Sequence, residues 1–138
     1  MEIGSGHFST FLLHHLAHIM KRQLYTYENS ERWFNRTKSF ESQYHHIVFC
    51  PDWDKADFDQ KHWGVIFIDH SPNSHRIVEI EKLKDKCDYM VINNTSPEWE
   101  RHFRYSKIWT LFKYRYHYDK IFPCVAVVSN IKPLFSIK

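Results

Sequence analysis

Two glycines near the start of the chain stand beside a carboxylate, in the order Glu2-Ile3-Gly4-Ser5-Gly6. Glycine lets backbone N–H groups approach a ligand that a Cβ would hold away, and it permits turns closed to other residues. The chain has 3 glycines in all, so two in one turn point to a local backbone need. A second carboxylate, Glu28, ends the stretch LYTYE about 20 residues later, the distance at which an acidic residue closing a second strand takes ribose hydroxyls. A third group, Asp69-His70, ends the run WGVIFID. It pairs a carboxylate able to bind with an imidazole able to titrate near neutrality, as proton transfer from an acceptor requires. The chemistry suggested is recognition of a nucleoside by its sugar, with a separate candidate for proton transfer at Asp69-His70.

Other chemistries find less support. The 3 cysteines, Cys50, Cys87 and Cys124, lie far apart in apolar runs with no CxxC pair, which favours buried reduced thiols and a cytoplasmic setting over disulfides or zinc. His14 and His18 share a helix face, but no third ligand has matching spacing; they and His45-His46 read as ordinary histidines. A formal charge of +3 is too mild to imply nucleic acid. No apolar run is long enough to span a membrane, and FLLHHLAHIM is too broken by histidines for a signal peptide.

The elements that must hold these residues alternate along the chain. A short strand precedes the glycines, and Phe8, Phe11, Leu12, Leu16, Ile19 and Met20 then recur at helical steps, forming one apolar stripe. Strand Leu24 to Glu28 follows, then a helix SERWFNRTKSF capped by Asn29 or Ser30. His45 to Cys50 is a strand stopped by Pro51. Trp63 to Asp69 is a strand covered on both faces, HRIVEIEKLKD a helix, and Asp88 to Asn94 a further buried strand. PEWERHFRYSKIWTL is expected to be a helix opened by Pro97. FKYRYHYD alternates as an edge strand and pairs antiparallel with PCVAVVSNI (Pro123 to Ile131). The alternation of strands and helices predicts a single doubly wound α/β domain over 1–138.

In such a sheet a ligand sits beyond the carboxyl ends of the strands. Ser9 stands where the dinucleotide fingerprint has its third glycine, which argues against a pyrophosphate ligand and against NAD-linked redox work. The pattern Glu2-Ile3-Gly4-Ser5-Gly6, continued by Glu28, by Pro51-Asp52-Trp53 and by WGVIFID with His70-Ser71-Pro72, resembles class I S-adenosylmethionine-dependent methyltransferases. The resemblance covers nearly the whole chain. It implies a three-layer Rossmann-like sandwich, a mostly parallel sheet with a C-terminal antiparallel strand pair, in a minimal or N-terminally truncated form whose first strand is very short. It implies S-adenosylmethionine as cofactor: Gly4, Ser5 and Gly6 at its methionine portion, Glu2 near its amino group, Glu28 on its ribose hydroxyls, Asp52 and Trp53 against adenine. Asp69 and His70 would border the reactive methyl as catalytic residues.

The function so implied is methyl transfer, with an oxygen of a small or sugar-like molecule as acceptor. The alternative is a protein that degrades the cofactor or binds it without catalysis. Asp69-His70 and Asn93-Asn94 also resemble the ion-holding positions of metal-dependent O-methyltransferases, although Asn93 replaces an aspartate; a divalent metal is therefore only a secondary expectation. The segment from Arg101 to Lys120 mixes basic and aromatic residues, but its aromatics follow helix and then strand periodicity, so core packing is expected rather than nucleic-acid binding. Arg101 or Arg104 would attract an anionic acceptor. A strand of three residues leaves neighbouring backbone groups short of partners, and the chain is expected to compensate by self-association as a homo-oligomer.

Overall fold

Ile3 is wholly buried and Glu2 beside it equally so, a pairing that only a strand inserted into a sheet imposes on adjacent residues of opposite character. The computed structural model describes residues 1–134, whose contacts gather into two compact units, Met1–Asp57 and the chain from Phe58 onward. The first unit contains β1 (Glu2–Ile3), α1 (Ser9–Met20), β2 (Leu24–Glu28), α2 (Glu31–Thr37) and β3 (His45–Phe49). Its strands are parallel in the order β3-β2-β1, with Glu2 opposite Thr26 and Leu24 opposite His45. The first strand is thus as short as the sequence implies. Its ladder gains one more rung because Gly4 N–H donates to the Tyr27 carbonyl at 2.9 Å.

Local signals set the helix ends of this unit. Ser30 caps α2 by accepting from Trp33 N–H at 3.5 Å, with Glu31 in the first turn and Arg36 in the last, as a helix dipole favours. α1 stops at Lys21, whose φ of 51° turns the chain left-handed so that Arg22 N–H bonds back to Ala17 at 2.9 Å.

α1 itself departs from expectation. The apolar stripe lies outward: Phe8 is 88% and Ile19 78% exposed, with Phe11, Leu12, Leu16 and Met20 exposed as well. The buried residues of the helix are Thr10 and Ala17. The reason lies beneath the helix, where Thr10 and His14 hydrogen-bond to polar groups of the strands and so draw the polar stripe inward. At dilutions that keep the chain monomeric, Ile19→Ser should therefore change the unfolding free energy measured in urea by no more than about 0.5 kcal/mol, as for a surface site. A loss above about 2 kcal/mol would show that something covers this face.

The second unit contains β4 (Trp63–Ile68), α3 (Arg76–Leu83), β5 (Cys87–Asn93), α4 (Glu100–Phe103), β6 (Tyr114–Tyr118) and β7 (Val125–Ser129). Its strands run β4-β5-β7-β6, with β4 and β5 parallel and β7 antiparallel to both neighbours. Ile66, Ile68, Ile80, Leu83, Met90, Ile92, Ile108, Ala126 and Val128 form a core with no exposure. β6 is the edge strand, as its alternation implies.

Two expectations for this unit are corrected. β4 is not covered on both faces, since Gly64 is exposed and Val65 is 48% exposed. The stretch from Pro97 to Leu111 is not one helix but α4 flanked by separate turns of 3-10 helix. Arg104, at φ 56°, ends α4, its N–H reaching the Glu100 carbonyl at 2.7 Å. The break lets Phe103 and Tyr105 stack at 5.1 Å while both, with Ile108, go into the core; a straight helix cannot bury positions two apart on one face. The aromatics of this segment thus serve packing.

Cys50 and Cys87 are buried, Cys124 is partly so, and all are free thiols. No helix among the described residues is long and apolar enough to cross a membrane.

Candidate functional site

The glycine turn is built around two carboxylates. Gly4 has φ 88°, a conformation an L side chain rarely adopts, and this aims the following N–H groups inward. Ser5 donates to Glu28 Oε2 twice, from its backbone N–H and its hydroxyl, both at 2.7 Å. Ser30 N–H donates to Glu28 Oε1, also at 2.7 Å. Glu28 is only 4% exposed, so this carboxylate at the end of β2 is fixed directly beside the turn that follows β1. The two features that sequence spacing linked are in contact.

Glu2 supports the turn from behind. Gly6 N–H donates to Thr10 Oγ1 at 2.9 Å, and Thr10 donates to Glu2 Oε2 at 2.9 Å. Thr26 donates to the same oxygen at 2.8 Å. Burial pushes the Glu2 carboxyl up to about 7, against the pull of the Ser9, Thr26 and Thr10 hydroxyls and the amino group of Met1. Its other oxygen, Oε1, is buried and accepts no hydrogen bond. A buried acceptor in that condition suits a cationic donor such as an ammonium group.

Behind Glu2 lies a residue that sequence reasoning dismissed. His45 is fully buried, its Nε2 at 2.8 Å from Thr26 Oγ1 and its Nδ1 at 3.2 Å from His14 Nδ1. Burial, and then the neighbouring His14, bring its pKa down to about 4. The two shifts give opposite stability slopes. Glu2, raised from 4.5 to about 7, favours folding at acid pH and loses that contribution as pH rises through 7. His45, lowered from 6.5 to about 4, favours folding above 6.5 and loses its contribution as pH falls through 4. Between about pH 4.5 and 6.5 the two oppose each other. Glu2→Gln should therefore turn a nearly flat stability profile into one that falls by roughly 2 kcal/mol on acidification across that window. An unchanged profile in urea titrations would refute the coupling.

Asp52 lies at the surface, accepting from Asp54 N–H at 3.1 Å and pairing with Lys55 at 3.1 Å. Trp53 is 4% exposed, which weighs against an open ring face and in favour of packing.

In the second unit, Asp69 and His70 follow β4, and an arginine that sequence reasoning overlooked organises them. Arg76, at the start of α3 and 4% exposed, donates to Asp69 Oδ1 at 3.0 Å, the His70 carbonyl at 2.7 Å, Asn94 Oδ1 at 3.1 Å and the Tyr105 hydroxyl at 3.3 Å. Its guanidinium also lies 4.4 Å from the centroid of the Phe103 ring. His70 is 1% exposed, with Nε2 at 2.9 Å from Glu79. Burial lowers the pKa of this imidazole, and its Nε2 is engaged with Glu79. No sequence signal marked Arg76 or Glu79.

The same geometry tests the metal expectation. Arg76 already bridges Asp69 and Asn94 and reaches toward the Asn93 carbonyl at 3.4 Å. A fixed guanidinium among the donor oxygens disfavours a divalent cation there, so this set does not fit one. Among the described residues no group of three His, Cys, Asp or Glu side chains is arranged to hold a metal, His14 and His18 included.

Strand order, the glycine turn and the carboxylate ending β2 define a class I S-adenosylmethionine-dependent methyltransferase fold, α/β and Rossmann-like, mostly parallel with an antiparallel pair at the C-terminal end. Solved structures agree. The N-terminal domain of human METTL16 in complex with S-adenosylhomocysteine superposes with a TM-score of 0.61 at 10% identity over 95% of this chain and 61% of that one. The M. capricolum TrmK complex with the same cofactor product gives 0.59 at 15% identity over 99% and 64%. Human methyltransferase 10 domain containing protein gives 0.58 at 12% over 95% and 72%. This chain is therefore similar in fold to chains that extend well beyond it. No protein-family profile and no curated protein matches the sequence.

Proposed function

We propose that residues 1–138 act as one S-adenosylmethionine-dependent methyltransferase domain, transferring a methyl group to an oxygen of a small or sugar-like acceptor. The observation that carries the reading is the fixed contact between the Gly4–Gly6 turn and the Glu28 carboxylate. A carboxylate has about four lone-pair directions, and protein donors use three of those on Glu28. One remains for a ribose hydroxyl, and rotation of the Ser5 hydroxyl frees a second. Gly4, Ser5 and Gly6 would bound the methionine portion, with Glu2 at its ammonium and Asp52, with Trp53 behind it, toward adenine. Two of the similar folds were solved with S-adenosylhomocysteine, which supports this ligand. When bound, the cofactor supplies an electrophilic methyl on a sulfonium sulfur. The protein's part is to orient the acceptor. Asp69, half-exposed and steadied by Arg76, would bind an acceptor hydroxyl.

A second reading rests on His70. With the His70 imidazole buried against Glu79 and the Asp69 carboxylate held by Arg76, both catalytic candidates are engaged within the protein, and this favours a cofactor binder or a cofactor-degrading protein. Incubation with S-adenosylmethionine alone separates the readings. A transferase leaves it intact until an acceptor from a panel of hydroxylated small molecules is added, a degrading enzyme consumes it, and a binder does neither.

Self-association belongs to the same proposal. The outer face of α1 is apolar and carries no Asp, Glu, Lys or Arg, so two copies meet there without charge repulsion. Sedimentation equilibrium should show a dimer that Phe11→Asp dissociates; a wild-type monomer at about 100 micromolar removes the idea.

A further inference from the structure

Three hydroxyls act on the Glu2 carboxylate, those of Ser9, Thr10 and Thr26, and the roles of the last two can be assigned from their other partners. Thr10 accepts from Gly6 N–H, so its own hydrogen goes to Glu2 Oε2. Thr26 has one hydrogen and two neighbours at 2.8 Å, Glu2 Oε2 and His45 Nε2. A carboxylate only accepts, so with Glu2 charged Thr26 must donate to it, and His45 Nε2 must then donate to Thr26. A neutral imidazole carries one N–H, which leaves His45 Nδ1 bare, and His14 must then direct its proton to that nitrogen across 3.2 Å in competition with the Phe40 carbonyl, which also accepts from His14. The opposite order, with the proton on His45 Nδ1, turns the Thr26 hydrogen away from Glu2. Two oxygens then face each other at 2.8 Å unless Glu2 is protonated. The two tautomers of His45 match the two charge states of Glu2.

We propose that His45 is a positioning residue for the glycine turn: held in its Nε2–H tautomer by His14, it donates through Thr26 and stabilises the charged form of Glu2. The hydrogen-bond order stands on the apo protein; the consequence for a cationic ligand rests on the proposed cofactor. Other charged or titratable groups facing this relay are His15, whose ring lies 5.7 Å from that of His14, His18, whose Nε2 meets Ser42 Oγ at 2.9 Å, His46, paired with Glu41 at 3.4 Å, and the amino group of Met1. Passage of a proton inward takes three hops: His14 Nδ1–H to His45 Nδ1, His45 Nε2–H to Thr26, and Thr26 O–H to Glu2. A protonated His14 ends neutral, and Glu2 ends as the neutral acid. His14 is half-exposed, so the outer end of the relay reaches solvent.

The test is NMR on the full chain without ligand, following the Glu2 carboxyl carbon and the His45 ring nitrogens against pH. His45 should be the Nε2–H tautomer at pH 8 and convert with the midpoint of Glu2. His45→Phe should raise that midpoint by about one unit, a tenfold change in proton affinity, and His45→Gln, which restores a donor to Thr26, should return it. An Nδ1–H tautomer at pH 8, or a midpoint unmoved in His45→Phe, overturns the proposal. If that variant does not fold, the wild-type tautomer alone decides. Calorimetry with S-adenosylhomocysteine should then show about tenfold weaker binding at pH 6 than at pH 8. Absence of binding at every pH would defeat the cofactor reading while leaving the relay, already decided by NMR, in place.

Discussion

Glu28→Ala should weaken S-adenosylhomocysteine binding at least 100-fold, a lower bound from two lost hydrogen bonds to a charged acceptor at about 1.5 to 3 kcal/mol each. The same substitution leaves Ser5 N–H and Ser30 N–H without their acceptor, because both depend on this carboxylate. Thermal stability should therefore fall as well, by about 2 kcal/mol. The two effects are separable through Ser5. Its hydroxyl shares Glu28 Oε2 with its own backbone N–H, so Ser5→Ala removes a competitor for the ribose while sparing the backbone bond. Calorimetry should find Ser5→Ala within about threefold of wild type, as for an exchange of one neutral hydrogen bond. Micromolar binding retained by Glu28→Ala would mean that this carboxylate only braces the turn, and the assignment of the ligand would go with it.

Arg76→Leu is the second large effect. The guanidinium is 4% exposed and joins Asp69 and the His70 carbonyl after β4 to Asn94 after β5 and to Tyr105. Removing one partner of a buried charged network typically costs 3 to 5 kcal/mol, roughly the difference between a folded and a marginal domain. Urea unfolding should show a loss of that order, with the second unit most affected in hydrogen exchange. Arg76→Lys should recover little, because one ammonium does not reproduce a planar fork that serves acceptors in several directions. A loss below about 1 kcal/mol would show the network to be solvated and weak.

Much of this molecule can be read from its residues. LYTYE is β2 from Leu24 to Glu28, Ser30 does cap α2, and the alternation in FKYRYHYD does mark an edge strand. These follow from local causes: β-branched and aromatic preference, a cap oxygen within reach of a free N–H, a period of two. The link between the glycine turn and Glu28, made in the structure by Ser5, was also legible, since the strand-helix-strand length that separates them is itself a local quantity.

What the chain alone did not disclose is which side of an element faces in. The periodicity of α1 correctly marks two stripes, yet the apolar one faces out. Thr10 and His14 lie on the inner face because Glu2 and His45, from β1 and β3, are there to bond them, and Thr26 of β2 joins those two. A polar side chain is costly to bury alone and cheap to bury when paired, so its direction depends on partners that only tertiary structure brings near. Arg76 is the same case in the second unit: its residue type suggests solvent, and five acceptor groups from distant positions decide otherwise.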